Sequence, residues 1–300
     1  MRTSLTTVWA VAGLAFAQSA WAADMAVKAP PPAVPIFTWT GCYVGGNAGW
    51  IGSDGHYDTA PSGNYLNPVG PAAPPNAAGT GDYPANMFFL ARSYSPHGSG
   101  GLVGAQVGCN YQVAHYVFGV EGDWAWSSLR STSDAFFAAF PNVGAPTFTN
   151  AARVDQVTTK LDSLATLRGR AGFAWDRFFV YGTGGLAYGD LHSDTNVTFG
   201  TVAVNPVYNG AIHIGSASSW QVGWTAGVGG EYAFAPSWSI KAEYLYVSLD
   251  SFNYSSLLVA SVSAAAPGYA WKTSVSERDN IVRVGVNYKF WGGGPIVAKY

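Results

Sequence analysis

KLDSLATLRGRAGFAWDRFFVYGTGGLAYG, residues 160–189, decides the fold. Its first arm alternates: Leu161, Ala165, Leu167, Ala171, Phe173 and Trp175 are apolar and odd-numbered, whereas Lys160, Asp162, Thr166, Arg168 and Arg170 are polar and even-numbered. Successive side chains of a strand point to opposite faces. The arm therefore has one apolar wall and one wall bearing both signs of charge. A helix would scatter the same charges over several faces. Trp175-Asp176-Arg177 makes a very short turn into a second arm rich in aromatics and glycine. An arm of roughly 15 residues is more than twice the usual strand. It suits a tilted strand crossing about 30 Å of hydrocarbon.

Composition extends this reading to the whole chain. Charged residues are 11% of the 300 residues, against about 25% in ordinary soluble domains, too few to coat a soluble surface of this size. Aromatics reach 15%, with 12 Trp and 37 Gly. Past residue 22, no stretch approaches the ~20 consecutive apolar residues of a membrane helix. A transmembrane β-barrel reconciles these facts, because its outer face needs an apolar residue only at every second position. The net charge of −2 gives no reason to expect a nucleic-acid partner.

The N-terminus reads as an export signal over residues 1–22: Arg2, an apolar run at 8–17, and the small-x-small cleavage site Ala20-Trp21-Ala22. Residues 23–37 contain Pro30, Pro31, Pro32 and Pro35. They cannot pair as a central strand and read as an extended periplasmic lead-in. The barrel is expected over 38–291, followed by a short periplasmic tail at 292–300. Export followed by a barrel implies the outer membrane of a Gram-negative bacterium.

Strands are expected at 39–50, 100–112, 116–126, 160–175, 177–189, 220–234, 238–249 and 281–291. Long connections at 51–99, 127–159, 190–219 and 250–280 alternate with tight turns. This is an all-β, eight-stranded antiparallel up-and-down transmembrane barrel with long extracellular loops and both ends in the periplasm. Charge parity is the internal check. Glu121, Asp123, Asp162, Glu231 and Glu243, with Lys160, Arg168, Arg170, Lys241, Arg283 and Lys289, all fall on the polar parity of their strands. A lipid-facing Arg or Lys at the midplane would cost ~2–4 kcal/mol. The opposite parity is crowded with Trp, Tyr and Phe near strand ends, as aromatic girdles require.

Several stretches resemble the small outer-membrane immunogenic proteins of alphaproteobacteria, relatives of the OmpA-type barrel. They are VKAPPPAVPIFTWTGCYVGGNAGW (27–50), LRGRAGFAWDRFFVYGTGGLAYG (167–189), WSIKAEYLYVSLD (238–250) and VRVGVNYKF (282–290). The resemblance covers both ends and most strands but not the long loops. It implies a porin-like surface barrel, with hemin binding in some relatives. The last strand also looks like the signal read by the barrel-assembly machinery, ending in Tyr288 and Phe290. Such barrels often stop at that aromatic, whereas this chain continues through Trp291 and GGGPIVAKY.

An eight-stranded barrel is just wide enough for side chains to fill. The expected site is therefore a salt-bridged lumen network of Glu121, Asp123, Asp162, Arg168, Arg170, Glu231, Lys241, Glu243 and Arg283, with Arg168 and Arg170 meeting Glu121 or Asp123. The competing picture is a narrow conduction path lined by Arg168, Arg170, Glu121 and Glu243. Phe179 and Tyr181 are left undecided between lumen and lipid, because the second arm has aromatics on both parities.

His56, His97, His192 and His213 fall in expected outer loops and His115 in a turn. No HxH or HxxxH spacing supports a metal or hemin site, and exposed loop histidines are ordinary. Cys42 and Cys109 lie near the same end of neighbouring strands in an oxidising compartment. They read either as a cross-strand disulfide or as two small lipid-facing hydrophobes; the second reading is preferred while the register is unknown. No motif fixes a nucleophile beside a histidine, and GTGG and GVGG sit inside strands rather than in a phosphate loop. No enzyme activity, metal or cofactor is expected.

The expected function is structural and surface-interacting, with a charge-paired closed lumen; a small-solute porin or hemin-binding surface receptor is the alternative. Expected partners are outer-membrane lipid and lipopolysaccharide, the assembly machinery, and a surface ligand that the loop composition does not specify. Truncation after Phe290 is expected to leave assembly intact, whereas Phe290→Ala lowers it. Equal yields of heat-modifiable barrel from the two variants would contradict that assignment.

Overall fold

Alternating residues make strands throughout the chain, and more of them than the apolar pattern alone marks. The computed structural model describes residues 37–63, 91–141, 149–201, 206–207, 210–260 and 269–291. The expected signal peptide, the lead-in up to residue 36 and the tail 292–300 lie outside the described residues. In chain order the strands are β1 (Gly41–Asp54), β2 (His56–Gly63), β3 (Arg92–Tyr94), β4 (His97–Val113), β5 (Tyr116–Phe137), β6 (Phe140–Pro141), β7 (Thr149–Asn150) and β8 (Arg153–Trp175). They continue with β9 (Phe178–Phe199), β10 (Pro206–Val207), β11 (Ile212–Ala235), β12 (Trp238–Leu249), β13 (Phe252–Ala260), β14 (Tyr269–Ser276) and β15 (Arg278–Trp291).

The main sheet is antiparallel at every pairing. β1 pairs with β4, β4 with β5, β5 with β8, β8 with β9, β9 with β11, β11 with β12, β12 with β15, and β15 with β1 again. The far part of β11 also pairs with β13, and the sheet runs on through β14, β2 and β3, giving twelve strands. The sheet has four strands beyond the eight of that circuit, because segments expected as irregular loops are themselves paired. β5, β8, β9 and β11 run well past their apolar stretches, and β2, β13 and β14 fill much of 51–63 and 250–280. These extensions are rich in Ser, Thr and Asn, so they pair without an apolar outer face.

Tight turns close one end. Val113 faces Tyr116, Trp175 faces Phe178 and Ala235 faces Trp238 across them. Ala114 and Asp176 take left-handed backbone there. Next to this end, Tyr116, Phe173, Trp175, Phe178 and Tyr232 make a chain of ring contacts on the outer face. A second outer cluster, Trp124, Trp220 and Tyr188, lies farther along. Between the two clusters the outer face is apolar and exposed, as with Val120, Leu167, Leu186, Val228 and Val284. From Tyr116 to Trp126, ten steps of ~3.4 Å on a tilted strand cover roughly 25 Å, the height of a membrane belt. Beyond it the outer face carries Arg130, Asp134 and Asp162, all exposed. This hydrated part is the distal tier. No helix among the described residues is long and apolar enough to cross a membrane.

Among the described residues the interior is filled in layers. Above the charged layer described below, Ile51, Leu102, Leu129, Leu161, Leu191, Leu245, Val247 and Ile281 form an apolar layer. Higher still, Thr195 and Ser193 meet the Tyr254 hydroxyl, and Arg153 pairs with Asp155 at 2.7 Å. The guanidinium of Arg153 also lies over the Trp271 ring at 4.6 Å.

His213, expected in an outer loop, is instead wholly buried on β11 in this tier, with the Phe199 and Trp271 rings each 6.1 Å away. Burial pushes its pKa down from 6.5 to about 4, and Arg153 adds to the effect. Between those pH values the unfolded chain binds a proton that the folded tier refuses. Stability therefore falls as pH drops from 6.5 toward 4, by up to about 3 kcal/mol. The protection factors of amides 212–219, corrected for the intrinsic pH dependence of exchange, are expected to fall across this range, and His213→Phe to flatten that fall; an unchanged slope in the variant would contradict the assignment.

Candidate functional site

Because residues of one parity turn inward, the ring of strands brings the charges together by register. Glu121 of β5 stands opposite Arg168 of β8, Glu243 of β12 opposite Arg283 of β15, and Glu231 of β11 opposite Lys241 of β12. Each cross-strand pair joins opposite signs, the favourable arrangement on a sheet face.

The side chains interlock further than pairwise. Arg168 reaches Glu121 at 2.5 Å, Asp123 at 2.9 Å and Glu243 at 3.4 Å. Arg170 lies 3.3 Å from both Glu121 and Glu231. Lys241 lies 2.8 Å from Glu121 and 3.2 Å from Glu243. Arg283 clamps Asp123 at 2.9 Å and Glu243 at 2.8 Å. All eight groups are buried, and Glu121, Asp123, Glu231 and Glu243 balance Arg168, Arg170, Lys241 and Arg283, four against four.

Neutral groups complete the layer. Tyr43 donates to Glu121 at 2.6 Å and Tyr181 to Glu243 at 2.8 Å. Thr166 donates to Asp123 at 2.5 Å. Arg170 Nε donates to Asn110 at 2.8 Å, and its guanidinium packs over the Tyr43, Phe179 and Tyr181 rings. A chain of amides, Asn47 to Gln106 to Asn287 to Glu231, runs across the wall with distances of 2.8, 2.6 and 2.8 Å. Gly229 makes room for this packing, since a Cβ there would come within 2.6 Å of the Tyr181 ring.

One expected member, Asp162, does not belong, nor does Lys160, a charge on the same polar parity. Asp162 is exposed, and Lys160 is half-buried outside the network. The register slips beside Asp162: Leu161 faces Leu191 and Ser163 faces Asp190, which leaves Asp162 without a partner on β9. Such a bulge shifts which parity faces inward. Arg168 and Arg170 point in from even positions, while Leu161, Thr159 and Val157 point in from odd ones. Lys289 is likewise outside the network, donating to the Thr38 carbonyl at 2.7 Å. Tyr181 and Phe179 resolve to the interior. Tyr43, Tyr181 and Thr166 are site residues that charge counting does not find; Tyr43 shares the parity of Asn47 on β1, the one sequence signal for it.

The tight-turn end is corked. Trp39, expected to begin the first strand, precedes β1 and folds inward against Phe179 and Ala174. Its indole donates to the Asp176 carbonyl at 3.2 Å, and its amide to Gln112 at 2.7 Å. The cavity left beside it, lined by Trp39, Tyr43, Asn110 and Glu231, is about 20 Å³, room for a single water. Tyr288 and Phe290 lie on the outer face of β15, 42% and 57% exposed, with Tyr288 against Trp238 at 5.0 Å.

Cys42 and Cys109 are direct cross-strand neighbours joined in a disulfide, with Cα atoms 4.0 Å apart. The preferred reading as two free hydrophobes is thereby overturned by the register. The histidines are dispersed: His97 contacts Asp54 at 2.7 Å, His192 contacts Asp194 at 3.3 Å, and His115 stacks on Phe173. Among the described residues no group of three or more His, Cys, Asp or Glu is placed to share a metal.

Against this geometry, residues 9–290 match the family model of the outer membrane protein β-barrel domain. The chain belongs to this family of outer-membrane β-barrels. It is 33% identical over 291 residues to the 31 kDa outer-membrane immunogenic protein of Brucella melitensis, covering 92% of this chain and 95% of that one. It is 24% identical over 212 residues to the 22 kDa outer membrane protein of Rhizobium leguminosarum, covering 71% and 75% of the two chains. The crystal structure of OprG from Pseudomonas aeruginosa aligns over 84% of this chain and 98% of that one, with 12% identity and a TM-score of 0.39. The apolar belt of this barrel thus lies in the outer membrane.

Removing one partner of a buried ion pair strands the others. Glu121→Gln is expected to lower the barrel's unfolding free energy by about 3–5 kcal/mol, and Asp162→Asn to change it by less than ~0.5 kcal/mol. Urea unfolding of the refolded barrels in lipid checks both; equal effects would contradict the placement of Asp162 outside the network.

Proposed function

We propose that the protein is a closed, eight-stranded structural wall of the outer membrane. In this reading the strands β1, β4, β5, β8, β9, β11, β12 and β15 span the bilayer. The tight turns face the periplasm, and the distal tier, longer than the membrane is thick, projects from the cell as the interaction surface. One observation carries it: four buried acids and four buried bases pair with one another across the interior. The Trp39 cork on one side and the apolar layer on the other support it. A small-solute porin needs a continuous wet path, and the packing of the described residues favours the closed wall over it. In this reading the role is mechanical.

Its partners follow from its surfaces. Exposed Val, Leu, Trp and Phe on the belt suit lipid and the acyl chains of lipopolysaccharide. Tyr288 and Phe290 suit recognition by the barrel-assembly machinery. The Brucella melitensis relative is named an immunogenic protein, which fits a distal tier displayed at the cell surface and available to a surface ligand.

Planar-bilayer recording of the purified, refolded barrel tests the proposal. The expected record is a quiet baseline without steady conductance. Large, long-lived, low-gating steps would overturn the closed wall and favour the porin.

A further inference from the structure

The distal tier holds a second group of charges, built unlike the first. At the far end of the β1–β15 pairing, Ser53 stands opposite Asp279. Asp279 is 0% exposed, and neither of its carboxylate oxygens has a hydrogen-bond partner among the described residues. Two residues earlier, on the same inward side, Glu277 is 1% exposed. The Ser53 hydroxyl donates its proton to one Glu277 oxygen, and the Tyr57 hydroxyl donates to the other at 3.1 Å. Ser53 thus stands between the two acids, its proton directed to Glu277 and its hydroxyl close enough to act on Asp279. The charges acting on Asp279 from its neighbours are those of Glu277 and Asp54, both acidic. On its other flank, β12 offers Val247 opposite Asp279.

Two carboxylates enclosed without a cation contrast with the lumen network, where four acids meet four bases. Burying an uncompensated ion is costly. Two acids enclosed at the start of β15, with hydroxyls between them, are balanced either by protonation or by a bound positive species. The donors are all hard oxygens: two carboxylates, the Ser53 hydroxyl and the Tyr57 phenol. Hard oxygen donors suit Ca²⁺ or Mg²⁺, with water completing the shell, and not the softer metals that favour Cys or His.

We propose that Asp279 and Glu277, with Ser53 between them, form a binding site for one hard divalent cation that is enclosed when the distal tier folds. The cation would join β1, β15 and, through Tyr57, β2. It would thereby anchor the projecting strands to the barrel rim. Because the site is enclosed, exchange requires opening of the tier, and loading is set during refolding.

The full-length barrel, refolded in lipid at neutral pH with Ca²⁺ or with chelator, provides the test. Equilibrium dialysis with radioactive calcium is expected to find one tightly held ion per chain. Asp279→Asn is expected to weaken that binding at least about tenfold, while Asp162→Asn, an exposed acid on the same tier, leaves it unchanged. Ca²⁺ should also slow proteolysis of the distal tier in the native chain and not in the Asn variant. If Asp279→Asn fails to fold, Ser53→Ala provides the same comparison with a smaller change. No calcium bound above the Asp279→Asn level would overturn the site. So would native protection indifferent to Ca²⁺ with an Asn variant at least as resistant, the result expected of two neutral, protonated carboxyl groups.

Discussion

Four carboxylates and four cations meet in one cross-section of the barrel, and each can reach it only from a strand whose alternate residues turn inward. A slip of one residue on β8 would send Arg168 and Arg170 into the lipid and bring Leu167 and Ala171 inside. Each stranded charge of the cationic kind would cost ~2–4 kcal/mol at the midplane. A buried ion pair adds little to stability over an apolar core of equal volume. Its effect here is discrimination: wrong registers expose the same charges to hydrocarbon. The register of the wall and the filling of the lumen are thus one constraint seen from its two sides.

The other interior features sit around that layer. The Cys42–Cys109 bond ties β1 to β4 near the tight-turn end, where the pairing of the first strand would otherwise depend on backbone hydrogen bonds alone. Trp39 closes the mouth below. The apolar layer led by Leu161, Leu191 and Leu245 separates the neutral charge network from the acidic pair at Glu277 and Asp279. The distal tier then relies on a different chemistry, with hydroxyl ladders, a cation–π stack at Arg153 and a neutral His213.

Alternation made the belt legible from the sequence. Tyr116 to Trp126, Trp220 to Phe234 and Val282 to Phe290 have the inward and outward faces that their residue types demand. Eight of the nine expected network charges come together for the same reason. Asp162 does not, because a bulge leaves no trace in composition: the residues on either side look like one unbroken strand. The disulfide was ambiguous for a related reason, since two cysteines on neighbouring strands bond only in one register. The distal strands escaped notice because Ser, Thr and Asn occupy both of their faces, so pairing there is set by the strands below and not by a local apolar pattern.

The coupling between Glu121 and Arg168 measures most directly whether the wall is tied together through its interior. A double-mutant cycle with Glu121→Met and Arg168→Met, read by unfolding in lipid, isolates that term. The account predicts that the double variant is less destabilised than the sum of the two single ones, with an interaction of about 1–3 kcal/mol. Additive losses, within ~0.5 kcal/mol, would contradict it and leave the two side chains as independent lumen residues.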